Sequence, residues 1–199
     1  MMDVMDIREE IRKVLDPPGT LLDPGGEFLA SAVLVMLCER GGDYGIWFIR
    51  RTEYRDDAFS GHVAFPGGKK KQSDATLVDT ACREAGEELG FDAGKEVEIL
   101  GEMDFVRPYT PSVRQYAVKP FVAMINDEVG FVPNYEVSEF FCVPVSHLVN
   151  PENRDVRERR RDGKTIDDYV FAYRNHIIWG LTGRILNEFF KKTSACLTM

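Results

Sequence analysis

A chain of 199 residues that is 44% hydrophobic is long enough to close a full core, and one domain over residues 1–199 is expected, with residues 1–27 as an N-terminal helix and connector. A net charge of −8 and a pI near 5.0 provide no field to gather a polyanion, which argues against stable nucleic-acid binding, and a small anionic substrate needs basic groups clustered locally. Cys38, Cys82, Cys142 and Cys196 are widely spaced with no CxxC pair, the first residues carry acids where a signal peptide needs bases, and no segment approaches the roughly 18 apolar residues of a membrane span. A reducing cytoplasm and no membrane association are the expectation.

In chain order, Ile7, Ile11, Val14 and Leu15 recur at helical spacing, which predicts a helix over Asp6–Leu15 that Pro17-Pro18-Gly19 stops. A turn-rich connector ends near Glu27. Phe28–Cys38 reads as a buried strand, Glu39–Gly45 as a loop and Ile46–Arg50 as the returning strand of a hairpin. Arg51–Ser60 is charged and irregular, and Gly61–Gly68 reads as a short strand running into a glycine turn. A helix over about Leu77–Leu89 is stopped by Gly90. Strands are predicted at Glu96–Asp104, Tyr116–Ile125 and Phe140–Val143, and a closing amphipathic helix at Ile178–Lys191. Glu152–Lys164, rich in arginine, reads as a mobile solvated loop. This order argues for α+β or an α/β/α sandwich rather than regular βαβ winding.

In Arg83-Glu84-Ala85-Gly86-Glu87-Glu88-Leu89-Gly90-Phe91 three glutamates sit at i, i+3 and i+4, within an arc of roughly 100° on one helix face. Val78, Ala81, Cys82, Ala85 and Leu89 fill the adjoining apolar arc, so Glu88 lies at the margin of the buried face. Such a trio on its own is commonly a solvated face. Phe65-Pro66-Gly67-Gly68 before the helix changes that reading, because paired glycines let backbone approach a ligand or the helix closely.

The segment resembles the box of the Nudix hydrolases: a glycine, five residues, an acid, seven residues, then RE-apolar-x-EE-x-G-apolar. Gly68, Arg83, Glu84, Glu87, Glu88, Gly90 and Phe91 take those positions, with Asp74 as the acid and eight residues, not seven, before Arg83. The resemblance implies the Nudix fold, a mixed sheet between helices from about Leu29 to Lys192. It also implies hydrolysis of a diphosphate in a small nucleotide-containing substrate, with Mg²⁺ or Mn²⁺ as cofactor. Glu84 and Glu88 would be the primary metal ligands and Glu87 a further ligand or water-mediated contact, with Arg83 orienting one of the carboxylates. Family members take the general base from the box or from a later loop, and Glu136 in Asn134-Tyr135-Glu136 is the candidate, an ordinary loop acid being the alternative.

Arg50, Arg51 and Arg55, followed by Gly61-x-x-x-Phe65-Pro66-Gly67-Gly68, resemble the extra motif of the coenzyme A pyrophosphatase branch, and Ile178–Leu186 resembles its C-terminal region. The Arg55-to-Gly61 spacing departs from that branch, and Phe59-Ser60 stands where a His-Pro pair is common. Coenzyme A carries a diphosphate and a separate 3′-phosphate, so its site needs several cations; Arg50, Arg51 and Arg55 are candidates for substrate binding or simply strand-end surface charges. Gly67 and Gly68 are candidate substrate contacts. Tyr109, in the rigid Arg107–Pro111 loop, either stacks on a base or packs on the sheet. His62 and His176 read as structural, and Trp179 with Phe189-Phe190 as core or a dimer contact. ADP-ribose and other nucleotides are competing substrates, a catalytically silent nucleotide sensor is the rival class, and a homodimer follows by family analogy.

Overall fold

The computed structural model describes residues 6–19, 28–55, 59–110, 113–125, 129–161 and 163–197, so most of the predicted connector before Glu27 lies outside the described residues. Helix α1 (Ile7–Val14) starts where the Asp6 side chain accepts the Arg8 N–H and buries Ile7 and Ile11. Strand β1 (Leu29–Arg40) runs further than predicted, and β2 (Asp43–Arg51) begins earlier. The loop expected over Glu39–Gly45 shrinks to the pair Gly41-Gly42. Both carry positive φ, 60° and 81°, which only a glycine pair adopts without cost and which matches the twist of a two-residue hairpin.

Beyond the hairpin come β3 (Val63–Ala64), β4 (Gly67–Lys69), α2 (Leu77–Leu89), the short α3 (Ala93–Glu96), β5 (Val97–Glu102), β6 (Tyr116–Ile125), β7 (Val137–Pro144) and α4 (Val145–Val149). The main sheet has the order β3-β2-β1-β6-β5, with β4 on β1 and β7 on β2. β1 and β6 are parallel and the other pairs antiparallel, so the sheet is mixed. β1 shares one edge between two partners. Ser31–Val33 pair with β4 and Leu37–Arg40 with β2, and the fork between those partners positions the glycine turn.

Alternate residues of β1 face opposite ways. Leu34 and Met36 join Ala81, Ala85 and Leu89 of α2 in one core; Val35 and Leu37 join residues of α1, α4 and the closing helix α5 (Gly180–Leu197) in the other. The sheet is thus covered on both faces, as the α/β/α expectation requires.

The stretch Glu152–Lys164 is not a loop. A 3₁₀ turn (Pro151–Asn153) leads into β8 (Arg154–Arg161), which pairs with β9 (Lys164–Tyr173) and, through it, β10 (His176–Ile178) in a second, three-stranded sheet. The register sets Arg157 opposite Asp168, and the ion pair that crosses the strands runs diagonally, from Arg159 Nη2 to Asp168 at 2.6 Å, so part of the charge that resembled a solvated loop is answered from the neighbouring strand. Lacking apolar alternation, β8 carries no strand signature. α5 begins at Gly180 because β10 occupies Ile178, and it ends at Leu197, beyond the predicted Lys191. Trp179 is half-buried between them, whereas Phe189 and Phe190 are core.

One buried ion pair fastens β5 to β6. The Lys119 ammonium lies 3.2 Å from Glu102 Oε1 and 4.4 Å from the Phe105 ring centroid, with both charged side chains sealed from solvent, and Glu102 Oε2 accepts the Gly19 N–H at 2.7 Å. Removing one partner of such a pair strands the other charge; removing both does not. Glu102→Leu is expected to cost about 3–5 kcal/mol in urea unfolding, and Glu102→Leu with Lys119→Met to recover most of it.

Candidate active site

α2 is set by its ends. The Thr76 hydroxyl accepts the Asp79 N–H while Asp79 accepts from the Thr76 backbone, a reciprocal cap, and Gly90 closes the helix in the left-handed conformation at φ 69°, ψ 33°. Val132 N–H donates to Leu89 O at 2.7 Å, Asn134 N–H to Glu88 O at 2.8 Å, and Asn134 Nδ2 to Glu87 O at 2.9 Å. These carbonyls have no partner within the helix, so the downstream loop acts as its cap. The same loop places Glu136, whose N–H donates to Asn134 Oδ1 at 2.8 Å; Glu136 O in turn accepts from the Thr52 N–H at 2.8 Å. Sequence-distant residues are thereby brought to one end of α2.

The three glutamates stand in different surroundings. Glu88 is 4% exposed, and its Oε2 accepts the Gly67 N–H at 2.9 Å. Burial pushes its carboxyl up to about 8; the neighbouring charges of Glu84 and Glu136 add to the rise, against the Gly67 N–H and Arg51. Gly67 reaches this position only as glycine, because φ is 151° and a Cβ would overlap Ala32 O. A Cβ on Gly68 would lie 2.6 Å from the Glu84 carboxyl carbon. Glu87 is half-exposed and already neutralised: Lys71 Nζ sits 3.1 and 3.2 Å from its two oxygens, holding its carboxyl below the usual range with help from Arg83.

Arg83 makes its bidentate contact with Asp74, not with a glutamate of the trio. Nε donates to Asp74 Oδ1 at 2.8 Å and Nη2 to Oδ2 at 3.0 Å, while Nη1 is shared between Glu84 at 2.8 Å and Glu87 at 3.2 Å. Asp74 is buried and also accepts from the Lys71 N–H and the Thr80 hydroxyl. Arg83 foremost, then these donors, hold its carboxyl far below the usual aspartate range against the opposing effect of burial. The shifted spacing before Arg83 thus still delivers the acid to the arginine.

On the far side of the glycine turn lies a cavity of about 410 Å³. Arg51, Gly67, Gly68 and Tyr109 line it; Arg50 and Arg55 do not. Arg50 lies 3.7 Å from Glu53, and Arg55 is exposed. The three glutamates stand behind the turn, outside the cavity lining. Lys69, Arg159, Trp179 and Arg184 line the cavity without having been singled out as binding residues. Arg184 and Trp179 fall in the C-terminal segment that carried the branch resemblance; Arg159 was hidden in the arginine run. His62 lines the cavity beside Trp179, with ring centroids 5.1 Å apart, whereas His176 is buried 3.2 Å from Glu139 and stacked on Phe141.

A buried carboxyl pressed by two more acids is a site where a hard divalent cation relieves repulsion, and an all-oxygen donor set suits Mg²⁺ or Mn²⁺. Among the described residues no three acidic, histidine or cysteine groups converge on one point. Glu84 Oε1 accepts from Arg83 Nη1 at 2.8 Å, the same guanidinium that holds Asp74.

Replacing Asp74 tests the network. Because its folded pKa is depressed, the stability it contributes is present above the ordinary aspartate range and lost as pH falls through the depressed value. Asp74→Asn is expected to cost on the order of 3 kcal/mol at pH 7, with the melting-temperature gap to the parent narrowing once pH drops below about 4.

Residues 28–163 match the NUDIX domain. The chain is 35% identical over 167 residues to the mitochondrial coenzyme A diphosphatase NUDT8 of Homo sapiens, covering 80% of this chain and 67% of that protein. It is 28% identical over 189 residues to the Nudix hydrolase NudL of Photorhabdus laumondii subsp. laumondii, covering 94% and 96% of the two. A crystal structure of a MutT/nudix family protein from Enterococcus faecalis aligns with a TM-score of 0.55 at 14% identity, over 88% of this chain and 66% of that one, a likeness of fold. The domain match spans more than half of the chain and contains every acid of the helix described above, and this chain belongs to the Nudix family, hydrolases that act on diphosphate bonds.

Proposed function

We propose that the chain is a divalent-metal-dependent pyrophosphohydrolase that cleaves coenzyme A, or a derivative of it, into adenosine 3′,5′-bisphosphate and 4′-phosphopantetheine. The observation that carries the reading is Glu84 and Glu88 set against the two glycines that line the cavity, so that acidic groups and a substrate-sized space share one backbone turn. The coenzyme A preference draws on the 35% identity to a coenzyme A diphosphatase and on the arginine-bearing segment before the turn.

In this reading Glu84 and Glu88 hold the metal, and Glu87, tied to Lys71 and Arg83, has an auxiliary part. Bound Mg²⁺ or Mn²⁺ supplies neutralisation of the phosphoryl oxygens and a more acidic water. Arg83, braced by Asp74, keeps Glu84 and Glu87 in register. Arg51 faces both the cavity and Glu88, which suits it to a diphosphate oxygen. Glu136 takes the proton of the attacking water as its oxygen bonds to phosphorus and the bridging P–O bond breaks; the leaving phosphate departs with the electron pair. Tyr109 offers a ring to the base.

Turnover is measured on coenzyme A, ADP-ribose and a nucleoside triphosphate with Mg²⁺ or Mn²⁺, and again after chelation. Coenzyme A is expected to be the preferred substrate and activity to vanish on chelation; ADP-ribose turned over far faster would reject the preference. Glu84→Gln and Glu88→Gln are each expected to lose about a hundredfold or more in kcat, and unchanged turnover would refute the roles given them. The atoms nearest a Cβ on Gly68 are the end of the flexible Glu84 side chain, so Gly68→Ala is expected to fold with the parent's melting temperature yet lose activity by displacing that carboxylate.

A further inference from the structure

In a chain of net charge −8, the cavity inverts the sign: four basic side chains, Arg51, Lys69, Arg159 and Arg184, line it against one acid, Asp168. The four are not equivalent. Arg159 Nη2 lies 2.6 Å from Asp168, itself 5% exposed, and its guanidinium sits 5.2 Å over Trp179, so its charge is already answered. The charge of Arg51 reaches Glu88. Lys69 and Arg184 differ, because neither has an acidic partner among the described residues. Each rests on a tyrosine: Lys69 Nζ is 5.1 Å from the Tyr116 centroid and the Arg184 guanidinium 3.9 Å from that of Tyr109. Arg184 Nη1 donates to Arg107 O at 2.8 Å, which fixes the plane and leaves its other nitrogens available.

Arg184 is half-buried and Lys69 exposed, and with no carboxylate beside either, both charges stay open to an anion that enters the cavity. α5 adds to the same field. Its first turn carries no acid, and Gly180, Leu181 and Thr182 line the cavity beside Arg184, so the positive end of an 18-residue helix faces the space. Arg184 stands on α5, an element that carries neither the glycine turn nor Arg51, so the cavity draws its cations from separate walls.

We infer that Lys69 and Arg184 form a subsite for a phosphate monoester carried on the substrate's ribose, apart from the diphosphate that is cleaved, with Tyr109 and Tyr116 flanking the attached nucleoside. The inference rests on the coenzyme A reading and deepens it: Lys69 and Arg184 select the 3′-phosphorylated nucleotide, and Arg159 with Trp179 forms a charge-neutral wall opposite. It places specificity partly in α5, beyond the end of the NUDIX match at residue 163.

Binding to the protein without added metal tests this apart from turnover. In titration calorimetry, adenosine 3′,5′-bisphosphate is expected to bind about tenfold or more tighter than adenosine 5′-monophosphate, as one or two charge-assisted hydrogen bonds require. Arg184→Gln and, separately, Lys69→Gln are expected to shrink that preference toward parity. With metal, the kcat/KM ratio of coenzyme A over dephospho-coenzyme A is expected to fall about tenfold in the same variants. Lys69 is exposed, so its variant remains informative even if Arg184→Gln disturbs folding. Equal affinity of the parent for the two nucleotides overturns the inference, as does a ratio that neither variant moves. If no diphosphate is cleaved yet the bisphosphate preference holds, the hydrolase reading fails and the subsite stands; if coenzyme A and its dephospho form are cleaved alike, the subsite fails and the reaction stands.

Discussion

A carboxyl group kept out of water between a helix and a glycine turn is the constraint around which the rest of this structure is arranged. Glu88 accepts one backbone N–H, from Gly67, and that approach is open only to a residue without a side chain whose φ lies near 151°. The turn is pinned in its own right, since β4 pairs with Ser31–Val33 and Pro66 O accepts the Leu34 N–H at 2.9 Å. The helix is pinned at both ends. A buried acid with so little compensation is a strained resident of any fold, and here the surrounding backbone fixes it in place.

Around that point the ionic contacts sort the acids into kinds. Glu87 and Asp74 are matched with cations, and both carboxyls are held below their ordinary range; Glu88 is matched with none at ion-pair distance among the described residues and sits above its range. Position along the helix alone does not produce this division. It arises because Lys71 and Arg83 reach two of the acids and the apolar packing of Ala85 and Leu89 draws the third inward.

How much of this the sequence disclosed depended on whether the relevant neighbours lay close along the chain. The helix over Leu77–Leu89, its stop at Gly90 and the acid face followed from covalent spacing and helical period, and the structure has the same boundaries. The hairpin was legible except for its tightness, which Gly41-Gly42 set. Hidden were the contacts that need three dimensions: Asp74 beneath Arg83, the 132–134 segment capping α2, and the second sheet. β8 escaped notice because its place is set by the strand it pairs with, where Asp168 answers Arg159, and no apolar rhythm along the strand announces that. Arg159 and Arg184 went unassigned for the same reason: each acquires its place only from Trp179, Asp168 or Tyr109, distant ring or charge partners.

The start of α5 is anchored on two sides. The Thr182 hydroxyl donates to Val63 O at 3.1 Å, tying the helix to the main sheet, and at Gly183 the helix lies so close to Tyr169 O of the second sheet that no side chain fits between. One residue is therefore bolted to one sheet and the next is flush with the other. Two consecutive residues of one helix turn thus span the seam between the sheets, and a side chain added at Gly183 would have to wedge them apart beside the cavity that Thr182 lines.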